Sequence, residues 1–119
     1  MVDNDKRKYL RFGAFLEGTF QINDGKSGLV MLTNFSKEGA KASLNRRIEP
    51  QAQVNIELWM PGSIIPVFFK GTVVWLRDSD SEWTYQFDAG IKVDQMSPDD
   101  FDRVMNYAYQ HWRRHKGKV

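Results

Sequence analysis

Cysteine is missing from all 119 positions. Its absence excludes disulfide staples, thiolate metal sites and a cysteine nucleophile, and it is compatible with a reducing compartment. Long apolar runs are missing too: none approaches the ~20 residues that a membrane helix needs. The stretch from Met1 to Arg11 is too polar for a secretory signal, so a cytoplasmic protein without membrane insertion is expected. Histidine occurs only as His111 and His115. A pair at i, i+4 can hold zinc, but no further ligands stand beside it and no carboxylate is placed to orient either ring. Neither a nucleophile elbow nor a glycine-rich phosphate loop ahead of a helix is present. The expectation is a protein that is not an enzyme and has no metal and no cofactor. Charge is nearly balanced, 17 basic against 15 acidic residues, so net charge selects no partner.

What dominates instead is a period of two. Ala14, Leu16, Phe20 and Ile22 alternate with Phe15, Glu17, Thr19 and Gln21, as in a half-buried strand. Asn23-Asp24-Gly25-Lys26 supplies turn chemistry before a second strand near Gly28 to Thr33. A short third strand follows Gly39. Val54, Ile56, Leu58 and Met60 alternate with polar residues and Trp59 until Pro61-Gly62 turns the chain. The apolar run Ile65 to Leu76 is rich in β-branched and aromatic residues, which favours a strand. Tyr85, Phe87, Ala89, Ile91 and Val93 alternate once more. Six strands with short connections bury their inner faces most economically as a closed antiparallel barrel, which also removes exposed edges. No repeat or low-complexity stretch suggests a linker or a second domain.

The period changes at Ser97. Serine as N-cap, Pro98 at the first helical position and Asp99 and Asp100 facing the positive end of the dipole predict a helix start. Phe101, Val104, Met105, Ala108 and Trp112 then form one helical stripe, suited to packing on the barrel. Arg113, Arg114, Lys116 and Lys118 crowd the far end, where the dipole prefers cations and where solvated termini commonly carry charge. The fold class is therefore all-β with one C-terminal helix.

Two short patterns are left over. Arg7-Lys8-Tyr9-Leu10-Arg11 sets two guanidinium groups four residues apart ahead of the first strand. Asn34-Phe35-Ser36-Lys37-Glu38-Gly39 sits between the second and third strands. Chance supplies about 0.5 occurrences of the first pattern but only roughly 0.07 of the second, and both stand in order in the right context. They match RxxxR and [D/N]xSxxG, and the chain resembles the PilZ domain family on them. Gly71-Thr72-Val73-Val74-Trp75, the run Asp88 to Val93 and the Ser97-Pro98 helix start extend the likeness over roughly residues 6 to 112. The resemblance implies a six-stranded barrel plus helix over residues 12–114, a flexible N-terminal arm over 1–11 and a basic tail over 115–119. It also implies cyclic di-GMP (c-di-GMP) as ligand.

On the matching positions, the resemblance assigns ligand binding to Arg7, Arg11, Asn34, Ser36 and Gly39, with Lys6 and Trp75 as possible further contacts. The chemistry suits these roles. Arginine forks can bond guanine O6 and N7, stack on a base or clamp a phosphate. The Asn34 amide can read a guanine edge, and the Ser36 hydroxyl can reach a phosphate or an edge nitrogen. Gly39 allows a close approach or a left-handed turn. Plainer readings stand beside these: solvated arginines on a leader, an Asx-turn at Asn34-Phe35-Ser36, and Trp75, at alternate spacing from Val73, as a packed barrel residue. The expected function is a c-di-GMP receptor whose arm closes over the ligand and relays the signal to a downstream protein partner. A ligand-independent adaptor is the alternative. A nucleic-acid-binding barrel is disfavoured because acids interrupt any basic stripe.

Overall fold

The computed structural model describes residues 12–80 and 84–117, with side chains over 15–80 and 84–111. Strands β1 (Phe12–Ile22), β2 (Ser27–Phe35), β3 (Gly39–Leu44), β4 (Gln53–Leu58), β5 (Val67–Asp78) and β6 (Phe87–Gln95) precede helix α1 (Pro98–Gly117). They close into one barrel in the order β1-β2-β3-β6-β5-β4, every neighbour antiparallel. The inward faces are the apolar halves of the alternating patterns. Leu16 and Phe20, Val30 and Leu32, Ala42 and Leu44, Val54 and Ile56, Phe69 and Val73, and Ala89 and Ile91 are all buried. Burying a Val, Leu, Ile or Phe side chain contributes ~1.5–3 kcal/mol, so this interior is the main source of stability.

The turns follow the local chemistry. At the β1–β2 connection Gly25 takes a φ of 96°, and the Lys26 amide donates to Asp24 Oδ1 at 2.9 Å. At the helix start the Asp100 amide donates to Ser97 Oγ at 3.1 Å, the expected N-cap bond. Helix α1 packs on β1, β5 and β2, with Val104 and Ala108 buried and Phe101 partly buried. Phe35, at the end of β2, is buried between Phe69 (ring centroids 6.2 Å apart) and Phe101 (5.6 Å). The helix continues through Gly117, past the boundary at residue 114.

Some strand ends differ from the sequence reading. β5 begins at Val67 rather than Ile65, because Arg103 of the helix donates to the carbonyls of Ile65 and Pro66. β6 begins at Phe87 rather than Tyr85: the Ser79 amide closes on the Gln86 carbonyl at 2.8 Å, and the Tyr85 hydroxyl donates to Glu17 Oε2 at 3.3 Å.

Candidate functional site

Two irregularities in the barrel decide where the candidate side chains go. Between β2 and β3 the pairing passes from Leu32↔Ala42 to Asn34↔Lys41, so Thr33 is an extra, bulged residue. Between β5 and β6 it passes from Val73↔Ile91 to Trp75↔Gly90, so Val74 is extra. A bulge shifts side-chain alternation by one position and re-aims the side chains beyond it. Without these insertions Asn34 would follow Leu32 inward and Trp75 would follow Val73 inward. With them, Phe35 and Leu76 take the inner positions, and Asn34 and Trp75 turn to the outer face. Trp75 is accordingly 40% exposed. This corrects the packed-barrel reading of Trp75, which assumed unbroken alternation. The bulged Thr33 is held by its hydroxyl, which donates to the Lys41 carbonyl at 3.1 Å.

The registers then align Asn34, Lys41, Gly90 and Trp75 as one row across β2, β3, β6 and β5. Gly90 is what lets the row close up. A Cβ there would lie 2.2 Å from the Trp75 indole nitrogen, so the indole lies across β6 where a side chain would otherwise stand. The Arg77 guanidinium sits 5.3 Å over the indole ring, and its Nε is 3.8 Å from Asp88 Oδ2. Asp88 in turn accepts from the Ser43 hydroxyl at 3.1 Å. A depression of about 200 Å³ opens beside this row, lined by Glu38, Lys41, Trp75, Gly90 and Lys92 among others.

Asn34 carries the most pointed electrostatic feature. Its Oδ1 is buried and has no hydrogen-bond partner among the described residues. A buried acceptor left unmatched costs ~1–3 kcal/mol, so its persistence asks for a donor from elsewhere. Ser36 is the opposite case. It is 1% exposed, its hydroxyl donates to the Gly39 carbonyl at 3.2 Å and accepts from the Gly39 amide at 3.4 Å. The Ser36 amide also donates to that carbonyl, at 2.9 Å. Ser36 thus closes the β2–β3 turn on itself. The alternative reading of an Asx-turn at Asn34 is not met, because the Ser36 amide goes to the Gly39 carbonyl and not to Asn34 Oδ1.

Gly39 does not use a left-handed backbone; positive φ among the described glycines occurs at Gly25 and Gly62. Its requirement is close approach. A Cβ there would lie 2.9 Å from the Ile91 carbonyl oxygen of β6, and the Val93 amide donates to Glu38 just before it at 3.3 Å. The motif's glycine therefore seals β3 against β6 beside the row. Lys6, Arg7 and Arg11 lie outside the described residues. Lys41 and Arg77 were missed by sequence reasoning, and Gly90 and Lys92 were noted only within the run Asp88 to Val93; cross-strand register brings all four to the site.

A larger concavity, about 410 Å³, lies elsewhere, on the outer face of β1, β4 and β5, and none of the described motif residues lines it. Among the described residues no group of His, Asp and Glu is arranged to hold a metal ion.

Solved structures that resemble this one share its architecture. The PilZ domain of YcgR from Escherichia coli with c-di-GMP aligns at a TM-score of 0.71 and 16% identity, covering 95% of this chain and 96% of that one. The Bacillus subtilis inhibitor of motility, MotI/DgrA, gives 0.71 at 12% identity over 92% of this chain. The MrkH–c-di-GMP complex from K. pneumonia gives 0.70 at 12% over 96%. This chain spans 52% and 56% of the latter two. At these identities the likeness establishes the fold. No curated protein matches the sequence significantly. The sequence itself is decisive, since a profile of the PilZ domain matches residues 5–110, and with the barrel, helix and motif turn in place this chain belongs to the PilZ domain family.

Proposed function

We propose that this PilZ domain is a c-di-GMP receptor that catalyses no reaction, and that the row Asn34–Lys41–Gly90–Trp75 is the barrel's half of its binding site. The observation that carries the reading is the buried Asn34 Oδ1, which has no hydrogen-bond partner among the described residues. A guanine edge offers N–H donors that would satisfy it. The remaining groups suit the same ligand. The Trp75 indole supplies an aromatic face for the base, in the place that Arg77 holds without ligand. Lys41 and Lys92 border the depression as cations for the phosphates. Ser36 and Gly39 act by fixing the turn that presents Asn34.

A depression of about 200 Å³ is smaller than the ~300–1,000 Å³ of sites that enclose a whole ligand. It holds part of a cyclic dinucleotide and leaves the outer side to a second wall. Arg7 and Arg11, with Lys6 beside them, are that wall in this reading: they close over the ligand and bond its guanines and phosphates. In this reading the relay to a partner runs through the next residue. Phe35 follows Asn34 and packs on Phe101 of helix α1, so a shift of the β2–β3 turn is felt by the helix.

The test is a calorimetric titration of the purified chain with c-di-GMP, with GMP and single-stranded RNA as controls. Saturable binding at about micromolar concentration or tighter, with both controls much weaker, is the expected result. Absence of heat with c-di-GMP would leave the adaptor alternative, and equal binding of RNA would favour a nucleic-acid surface.

A further inference from the structure

We propose that the outer face of the β4–β5 hairpin is a docking surface for a partner-protein segment that carries apolar anchors flanked by lysine or arginine. Four large apolar side chains stand exposed on this single hairpin: Trp59 (49%), Ile64 (98%), Ile65 (63%) and Phe68 (53%). Isolated exposed apolar residues need no explanation, but a group of them on one element marks an interaction site.

The hairpin loop is braced rather than loose. Arg103 of α1 donates to the Pro66 carbonyl at 3.2 Å, to Ser63 Oγ at 3.2 Å and to the Ile65 carbonyl. Asp100 pairs with Arg103 at 3.6 Å and accepts from the Phe68 amide at 3.1 Å. These bonds fix the backbone on both sides of Ile64 while its side chain meets only solvent. Such preorganisation lowers the ordering cost of binding and costs the isolated domain an exposed apolar tip.

Beside this promontory lies the concavity of about 410 Å³, with Phe68, Met96, Glu57 and Asp100 in its wall. Its volume falls in the ~300–1,000 Å³ range of ligand-sized sites, enough to receive an anchor side chain. The charge around it is acidic in surplus. Glu57 and Asp100 line it against Lys70, Arg103 pairs with Asp100, and exposed Asp99, one turn before Arg103 on the same helix face, leaves one acid in excess. Basic flanks on a partner complement this rim and speed its approach. The proposal extends the receptor reading by naming the face that a downstream partner takes. Because no described motif residue lines this face, docking is measurable without the ligand.

The test uses the full chain, isotopically labelled, and a panel of synthetic amphipathic peptides with Leu or Phe anchors and either Lys or Glu flanks. Lys-flanked peptides should shift the amides of Glu57, Trp59, Ile64, Ile65, Val67 and Phe68, and should bind about tenfold tighter than their Glu-flanked counterparts. Ile64→Ser should weaken them by about tenfold or more, as expected for an anchor, with an unchanged melting temperature and unchanged c-di-GMP titration. Four results overturn the proposal. They are equal binding of both peptide sets, no binding of the Lys-flanked set, self-association of the chain abolished by Ile64→Ser, and Ile64-dependent sedimentation with phosphatidylglycerol vesicles. Failure of c-di-GMP binding alongside intact peptide docking would remove the receptor function and leave this surface standing.

Discussion

Replacing Asn34 by alanine should weaken the ligand without harming the fold. The amide oxygen is buried and unmatched among the described residues, and such a group costs the folded state ~1–3 kcal/mol. Removing it relieves that cost, offset by about 1 kcal/mol for other contacts of the amide. The net change is zero to ~2 kcal/mol in favour of the ligand-free protein, or a melting temperature unchanged or raised by up to about 8 °C, at roughly 4 °C per kcal/mol for a domain of this size. Ser36→Ala provides the contrast. Its hydroxyl satisfies both the Gly39 carbonyl and the Gly39 amide inside a buried turn, so its loss should lower stability by ~1–2 kcal/mol. Binding should move the other way for Asn34. The lost guanine contact is worth ~1–3 kcal/mol, a factor of roughly 5 to 150 in Kd. Differential scanning calorimetry on the ligand-free proteins and titration calorimetry with c-di-GMP measure the two halves. A melting temperature that falls for Asn34→Ala together with unchanged affinity would refute this reasoning, since Asn34 would then be a structural residue already satisfied within the chain.

Gly39→Ala should destabilise the barrel by ~1–3 kcal/mol, because the new methyl meets the Ile91 carbonyl at 2.9 Å and must push β3 from β6; denaturant unfolding checks it. Arg7→Ala and Arg11→Ala should each weaken c-di-GMP by about 10- to 150-fold, the range of a charge-assisted hydrogen bond, while leaving the melting temperature nearly unchanged. Gly90→Ala should displace the Trp75 indole, 2.2 Å from the added methyl, and so alter tryptophan fluorescence and weaken c-di-GMP binding. Tyr85 should titrate above its ordinary value near 10, raised first by burial and then by the Glu17 charge and hydrogen bond. The unfolded chain therefore loses that proton first. Stability present below pH 10 should decline as the pH rises past the unfolded value, and Tyr85→Phe should flatten that decline.

The barrel was legible because its inner faces are written locally. Leu16 and Phe20, or Val54 and Ile56, alternate with polar residues in plain sequence, and Ser97-Pro98 announces the helix. The second motif was legible as a string, but its geometry was not. Thr33 and Val74 are bulged by pairing with strands that lie elsewhere in the chain, and an inserted residue carries no composition of its own. Trp75 therefore read as inward from Val73 when the fold turns it outward. The same holds for Lys41 and Gly90, whose place beside Asn34 and Trp75 exists only through cross-strand register. Ser36 was assigned to the ligand through the motif; its burial and its bonds to Gly39 depend on how the turn closes, which the string does not show.

The central claim is that c-di-GMP binds on the outer row beside the β2–β3 turn. The most direct measurement is a ¹H–¹⁵N shift titration of the full chain with c-di-GMP. Binding on that row predicts saturable shifts centred on the Asn34 side-chain amide, Lys41, Gly90 and the Trp75 indole N–H, with smaller changes at Phe101. Absence of shifts at high ligand concentration, or shifts confined to the concavity around Glu57 and Phe68, would contradict it.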